Sequence, residues 1–245
     1  MIPKEVPFID IHTHRDSSGW IASAKDLAMT YPSLLLSYGL HPWNFDGYVI
    51  ASEAKQPTPT RLETLLKENR IVAIGETGLD KMHPDSYAFQ LESFEQHILL
   101  SEQYQKPLII HNVRATADIL RLHKKHRPKQ AWILHGFNGS ETEIRQLTDR
   151  GIYLSVGKSL FYPNRKITQS IPSVPLEYLF LETDTSEKTI QEVYEKASEL
   201  LNMPLNRLKE QIFANFVGLW KTGNNVPDCS SATMALINLD EAMCS

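Results

Sequence analysis

The sequence predicts an α/β fold built on a parallel sheet. Three observations predict it. Short apolar runs of strand length alternate with longer amphipathic stretches about seven times, and that repeat implies parallel strands joined by crossover helices. The 245 residues, 42% of them hydrophobic, suffice for one large core, and α/β barrels commonly run to about 250 residues as one domain. No GxGxxG or P-loop follows the first strand, which counts against a nucleotide-binding open sheet. On pattern alone, a closed barrel and a doubly wound open sheet both remain.

The strand-like runs, in order, are FIDIHTH (8–14), SLLLSYGLHP (33–42), IVAIGETGLD (71–80), PLIIH (107–111), AWILHG (131–136), GIYLSVG (151–157) and LEYLFLETD (176–184). Each is rich in Ile, Leu, Val or aromatics. Helical spacing runs between them. Residues 86–105 carry Leu91, Phe94, Ile98 and Leu99; residues 116–127 carry Ile119, Leu120 and Leu122; residues 141–150 carry Ile144 and Leu147. Residues 189–201 carry Ile190, Val193, Tyr194, Ala197 and Leu200, and after Pro204 come Leu208, Ile212, Phe216 and Leu219. Each set recurs every three or four positions, as one buried helix face requires. The tail from Thr222 to Ser245 is polar, then weakly helical around Ala232–Ala242; its pattern is compatible with packing on the outside of the barrel or with an interaction arm.

A net charge of −4 gives no basic footprint for nucleic acid. Cys229 and Cys244 both lie in the last stretch and have no zinc-finger spacing. The N-terminus lacks a signal-peptide run, and no 18-residue apolar stretch occurs. A cytoplasmic protein with no membrane partner is the expectation.

The reactive side chains gather at strand ends. His12 and His14 sit two apart in the first strand, so they share a face, with Asp10 behind them. Paired imidazoles repel once protonated, and a shared metal ion is a natural reason to pair them. His41 ends the second run, Glu76 lies near the end of the third, and His111, His135 and Asp184 end the fourth, fifth and seventh. Each alone has an ordinary reading; Asp184, for instance, could cap a helix. Together they converge only if the strands are parallel, because all strand ends then share one face. Imidazole and carboxylate without thiolate suit two divalent ions among Zn²⁺, Mn²⁺, Mg²⁺ and Ni²⁺. Lys81, Arg114 and Lys158 also follow strand ends and could ring the mouth with positive charge. His83, His97, His123 and His126 read as surface residues.

The ordered motifs DIHTH (10–14), GLHP (39–42), AIGETGLD (73–80), FQLESFEQHILLSEQYQKPLIIH (89–111), ILHGFNGS (133–140), GIYLSVG (151–157), LFLETD (179–184) and ANF (214–216) resemble the TatD family of metal-dependent deoxyribonucleases. The resemblance implies a single-domain TIM-type (β/α) barrel over residues 1–221 with seven clear strands, followed by a tail, 222–245, of unassigned role. It implies His12 and His14 on one ion, His111 and His135 on the other, and Glu76 bridging them. Asp184 would hold the first ion and take a proton from the attacking water, and His41 would touch a substrate phosphate. Departures lie in the loops: Arg15 precedes Asp16, Lys81 follows GLD, Arg114 stands three residues after His111, and TSEKTIQEVYEK follows LETD.

The function expected is hydrolysis of phosphodiester bonds at DNA ends, with DNA or a nucleotide as partner. The alternatives are a two-metal hydrolase of an amide, lactone or small phosphoester, and a metal-binding barrel without catalysis. The intact ligand set argues against the last.

Overall fold

The computed structural model describes residues 6–14, 35–45, 59–219 and 233–239. Eight parallel strands form one sheet: β1 (Phe8–Thr13), β2 (Leu35–Tyr38), β3 (Ala73–Asp80), β4 (Leu108–Val113), β5 (Trp132–Leu134), β6 (Tyr153–Val156), β7 (Leu179–Leu181) and β8 (Thr233–Leu239). The helices are α1 (Pro59–Lys67), α2 (Tyr87–Tyr104), α3 (Thr116–His126), α4 (Glu141–Thr148), α5 (Lys166–Ser170), α6 (Ile190–Leu200) and α7 (Leu205–Gly218). The sheet order is β1-β8-β2-β3-β4-β5-β6-β7. Its two edges meet beyond β7: Asp184 N–H donates to His12 O at 2.9 Å, and His14 N–H donates to Asp184 O at 3.3 Å. The sheet is thereby curled into the TIM-type barrel that the motifs implied.

Strands β3, β5 and β7 are buried along their whole length. Burial on both faces is what parallel strands under a helical layer require, and it explains runs of Ile and Leu in place of alternation. Side-chain ties join the layers. The Tyr194 hydroxyl on α6 lies 3.1 Å from both Ile9 N and Ile9 O of β1. Asn215, in the ANF motif of α7, donates to Leu176 O and Leu179 O at the start of β7. Buried Gln90 on α2 accepts from Asp80 N at 2.7 Å and donates to Asp80 O, pinning the end of β3.

Two expectations are corrected. The first concerns the tail, which contributes a strand where the sequence reads as weakly helical. Leu35–Tyr38 of β2 pair with Leu236–Leu239, and Phe8–Asp10 of β1 pair with Thr233–Ala235. The last strand thus fills the gap between the first two. Local periodicity could not reveal this, because both partners are distant in sequence. The second concerns α2, whose buried face is Gln90, Phe94, His97, Ile98 and Ser101, while Leu99 is exposed. His97 is therefore a core residue, not a surface one. Its Nε2 accepts from Leu40 N at 3.1 Å and its Nδ1 lies 2.7 Å from Ser93 O. The ordinary alternative for Asp184, a helix cap, does not apply, because α6 is capped by Thr189 in a capping box with Glu192. Arg15, Asp16, Cys229 and Cys244 lie outside the described residues.

Two predictions follow from this architecture. A chain ending after Trp220, or Ala235→Pro, should lose near-ultraviolet circular dichroism and cooperative unfolding, because each removes pairing from a central strand; a native-like spectrum would place β8 outside the stability of the barrel. Burial lowers the His97 imidazole to about 4, against about 6.5 unfolded. The unfolded chain therefore binds the extra proton between these values, and stability present above pH 6.5 is lost as pH falls towards 4. The loss should reach about 3 kcal/mol, measured by urea unfolding of metal-free protein, and His97→Gln should flatten that part of the profile.

Candidate metal centre

The site is assembled at one end of β1, β3, β4, β5 and β7. Its centre is Glu76, whose side chain is 3% exposed. Glu76 sits in Gly75-Glu76-Thr77-Gly78, where the β3–β4 register shifts between Ile74 and Thr77. Both glycines have φ of +144°, and a Cβ on either would collide with the backbone carbonyl of Ile109 or His111. Only glycine tolerates both demands, so GETG is a device for pressing Glu76 against β4.

Five imidazoles surround this carboxylate. His12 Nε2 and His14 Nε2 each lie 3.3 Å from Oε2. His111 Nδ1 and His135 Nε2 lie 2.7 Å from Oε1, and His41 Nε2 lies 3.0 Å from it. Asp184 stands beside them, its Oδ1 3.6 Å from His14 Nε2 and 3.9 Å from His12 Nε2. Asp184 has φ of 52°, a left-handed conformation that non-glycine residues hold only when their surroundings impose it. Here the two backbone hydrogen bonds to β1 impose it.

Carboxylates one layer back orient the rings. Asp80 Oδ2 lies 3.3 Å from His111 Nε2, which leaves His111 Nδ1 facing Glu76. Glu182 Oε1 accepts from Gly136 N at 2.6 Å and lies 3.7 Å from His135 Nδ1. Behind β1, Asp10 accepts from Thr183 N at 3.0 Å and lies 2.6 Å from its hydroxyl, joining the two strands that carry His12 and Asp184. His41 is held differently. Trp43 N–H donates to its Nδ1 at 3.1 Å, so the ring proton of neutral His41 resides on Nε2 and points at Glu76.

Burial raises the Glu76 carboxyl, but the charge of His135 and the close approach of the His111, His12 and His135 ring nitrogens outweigh it and hold the group well below its ordinary range. Burial and the neighbouring His135 lower His12. Burial alone would raise Asp184, but His12, His135 and His14 bring it below the usual carboxylate value. Burial pushes Asp10 up to about 7.

A divalent cation fits this donor set. Both ring nitrogens of His12 are buried and make no hydrogen bond among the described residues. The ligand atoms of His12, His14 and Glu76, of His12, His135 and Asp184, and of His41, Glu76 and His111 lie in each case within 4.8 Å of one another. Imidazole and carboxylate converging without thiolate suit borderline or hard divalent ions.

All six residues expected as ligands, and His41, are brought together. The basic residues divide. Lys158 Nζ reaches Asp184 Oδ2 at 3.5 Å. Arg114, with φ of 55°, lines a cavity of about 200 Å³ together with His135, Phe137, Asn138 and Lys166. Lys81 is instead bound to Asp118 at 2.8 Å, on α3. Sequence reasoning missed the role of Asp80. The signal was present, since Asp80 lies four residues after Glu76 in one strand and so shares its face.

The family model described as TatD related DNase matches residues 8–221. A protein of Mycobacterium tuberculosis called an uncharacterized metal-dependent hydrolase TatD is 32% identical over 69% of this chain and 63% of its own length. Deoxyribonuclease Tat-D of Schizosaccharomyces pombe is 28% identical over 66% of this chain and 54% of its own. The matches thus span less than two thirds of these curated relatives. The crystal structure of YjjV, a TatD homologue of Escherichia coli, superposes with a TM-score of 0.73 at 23% identity, over 89% of this chain and 98% of that one. Among the described residues no helix is long and apolar enough to cross a membrane.

Glu182→Gln keeps the shape of the group behind His135 but removes its charge. It should weaken divalent-ion affinity about 10- to 100-fold, read by calorimetric titration; unchanged affinity would reduce Glu182 to a backbone tie for Gly136.

Proposed function

The chain belongs to the TatD-related DNase family of metal-dependent hydrolases, and from that premise we propose that it cleaves phosphodiester bonds at DNA ends with two divalent ions. The observation that carries this reading is one buried carboxylate, Glu76, within 3.3 Å of five imidazoles and flanked by Asp184. His12, His14 and Asp184 would hold one ion, His111 and His135 the other, and Glu76 both. Zn²⁺, Mn²⁺, Mg²⁺ and Ni²⁺ all fit the donors. Such ions, when bound, neutralise phosphate charge and bring the pKa of a water towards about 7.

The chain's own groups supply the remainder. Asp184, partly exposed at the mouth and held ionised by its imidazole neighbours, receives the proton of the attacking water. His41, whose Nε2–H is set by the Trp43 backbone, donates to a phosphoryl oxygen. Arg114 has no ion pair or hydrogen bond among the described residues, and its cavity beside His135 suits an adjoining phosphate. Lys158 adds positive charge next to Asp184. Lys81, engaged by Asp118, is left out of this clamp. The name of the fission-yeast relative supports DNA as the substrate.

Chelator-treated protein should be inactive on an end-labelled single-stranded oligonucleotide and recover with Mn²⁺ or Zn²⁺. Asp184→Asn should lose about 10²–10⁴-fold in kcat while retaining metal at Glu76, His111 and His135. Near-wild-type turnover of that variant would remove Asp184 from the chemistry. His12→Ala should instead lose metal first and regain part of its activity in excess metal.

A further inference from the structure

Among the described residues Trp43 is one of the few large hydrophobic side chains left in the open, 52% exposed. It is not loose. Its indole N–H donates to Asp80 Oδ2 at 2.8 Å, and its backbone N–H to His41 Nδ1 at 3.1 Å. Asp80 is buried, and the same Oδ2 lies 3.3 Å from His111 Nε2. The carboxylate that orients a proposed metal ligand therefore also sets the tilt of the indole. The ring centroid is 4.8 Å from that of His41 and 5.8 Å from that of His111. Next to it lie Met82, 55% exposed with its N–H donating to Asp80 Oδ1, and the His83 ring at 5.7 Å.

These groups form a shelf of flat, polarisable surface at the lip of the site, all held by Asp80. A side chain kept for core packing would be buried, and one kept for solubility would be polar. A rigid half-open indole is instead suited to stacking with a planar ring, which any nucleobase offers whatever its sequence. The position is one residue's width from the imidazoles that would face a phosphate, so a phosphate at the metal centre leaves its own nucleoside beside the shelf.

We propose that Trp43 is the base-binding platform of this enzyme, and that the substrate class is a nucleotide whose unpaired base stacks on the indole. The assignment rests on the phosphodiesterase reading of the site. It also specifies it: recognition is of a splayed base at a single-stranded end, without base-edge readout.

The test compares dTMP with deoxyribose 5-phosphate, which carries the same phosphate and no base. Calorimetric titration of metal-free and metal-loaded protein should show dTMP bound about 5- to 150-fold more tightly. Trp43→Leu should bring the ratio of the two affinities to about one, whatever loss of the Asp80 hydrogen bond does to both ligands alike, and Trp43→Phe should keep part of the preference. With a thymidine dinucleotide and its abasic analogue as substrates, Trp43→Leu should raise KM for the first more than for the second, while any change in kcat is shared by both. Equal effects on both ligands, or none on either, overturn the platform. If both diesters are cleaved with no preference for the base, the platform falls and the phosphodiesterase reading stands. If neither is cleaved by metal-loaded protein, the phosphodiesterase reading falls and takes the platform with it.

Discussion

One buried carboxylate organises this molecule. An ionised group with almost no contact with water is strongly disfavoured unless partners replace its hydration. Glu76 is such a group, and five imidazoles crowd its two oxygens. The rings in turn cannot all be protonated side by side. The arrangement is therefore short of positive charge in compact form, which is the electrostatic definition of a divalent-ion site. Both elements of the problem are built into backbone: two glycines let β3 press on β4, and Asp184 accepts a left-handed conformation to reach the same centre.

Several of the remaining buried polar residues serve that centre at one remove. Asp80 turns His111, Glu182 stands behind His135, and Asp10 ties Thr183, next to Asp184, to the strand carrying His12 and His14. Gln90 then holds Asp80 by its backbone, and His97 holds Leu40 beside His41. A metal centre needs ligand tautomers set as well as ligands supplied. Here each ring is turned by a different group: Asp80 stands behind His111 and Glu182 behind His135, whereas the Trp43 backbone N–H holds Nδ1 of His41. The indole of Trp43 in turn reaches Asp80, so the proposed metal ligands, His41 and the exposed indole form one connected network.

The barrel reaches closure by an unusual route. The chain's last strand lies between its first and second, so the sheet is complete only after the C-terminal segment has docked. Pairings between such distant residues carry a large loop-closure entropy and form late. The strand bearing His12 and His14 thus takes both its neighbours from the last third of the chain, β8 on one side and the Asp184 bridge on the other.

How much of this was legible in the sequence follows the range of each interaction. The seven strand runs and five of the helices were legible, because a period of two or 3.6 is a local property. The six proposed ligands and His41 were legible too, since parallel strands carry all their ends to one face and the motifs mark where those ends lie. The tail was not. Thr233–Leu239 has only a weak pattern of its own and becomes a strand because two unpaired edges await it. Nor was His97, whose burial depends on which face of α2 meets the barrel, nor the second duty of Asp80. The protonated nitrogen of His41 and the tilt of Trp43 depend on a single backbone N–H and a single carboxylate placed by other elements. The sequence by itself determined which residues bear the chemistry; the tertiary structure decided their tautomers, their charges and what lies beside them, because those depend on contacts that exist only once the sheet has closed.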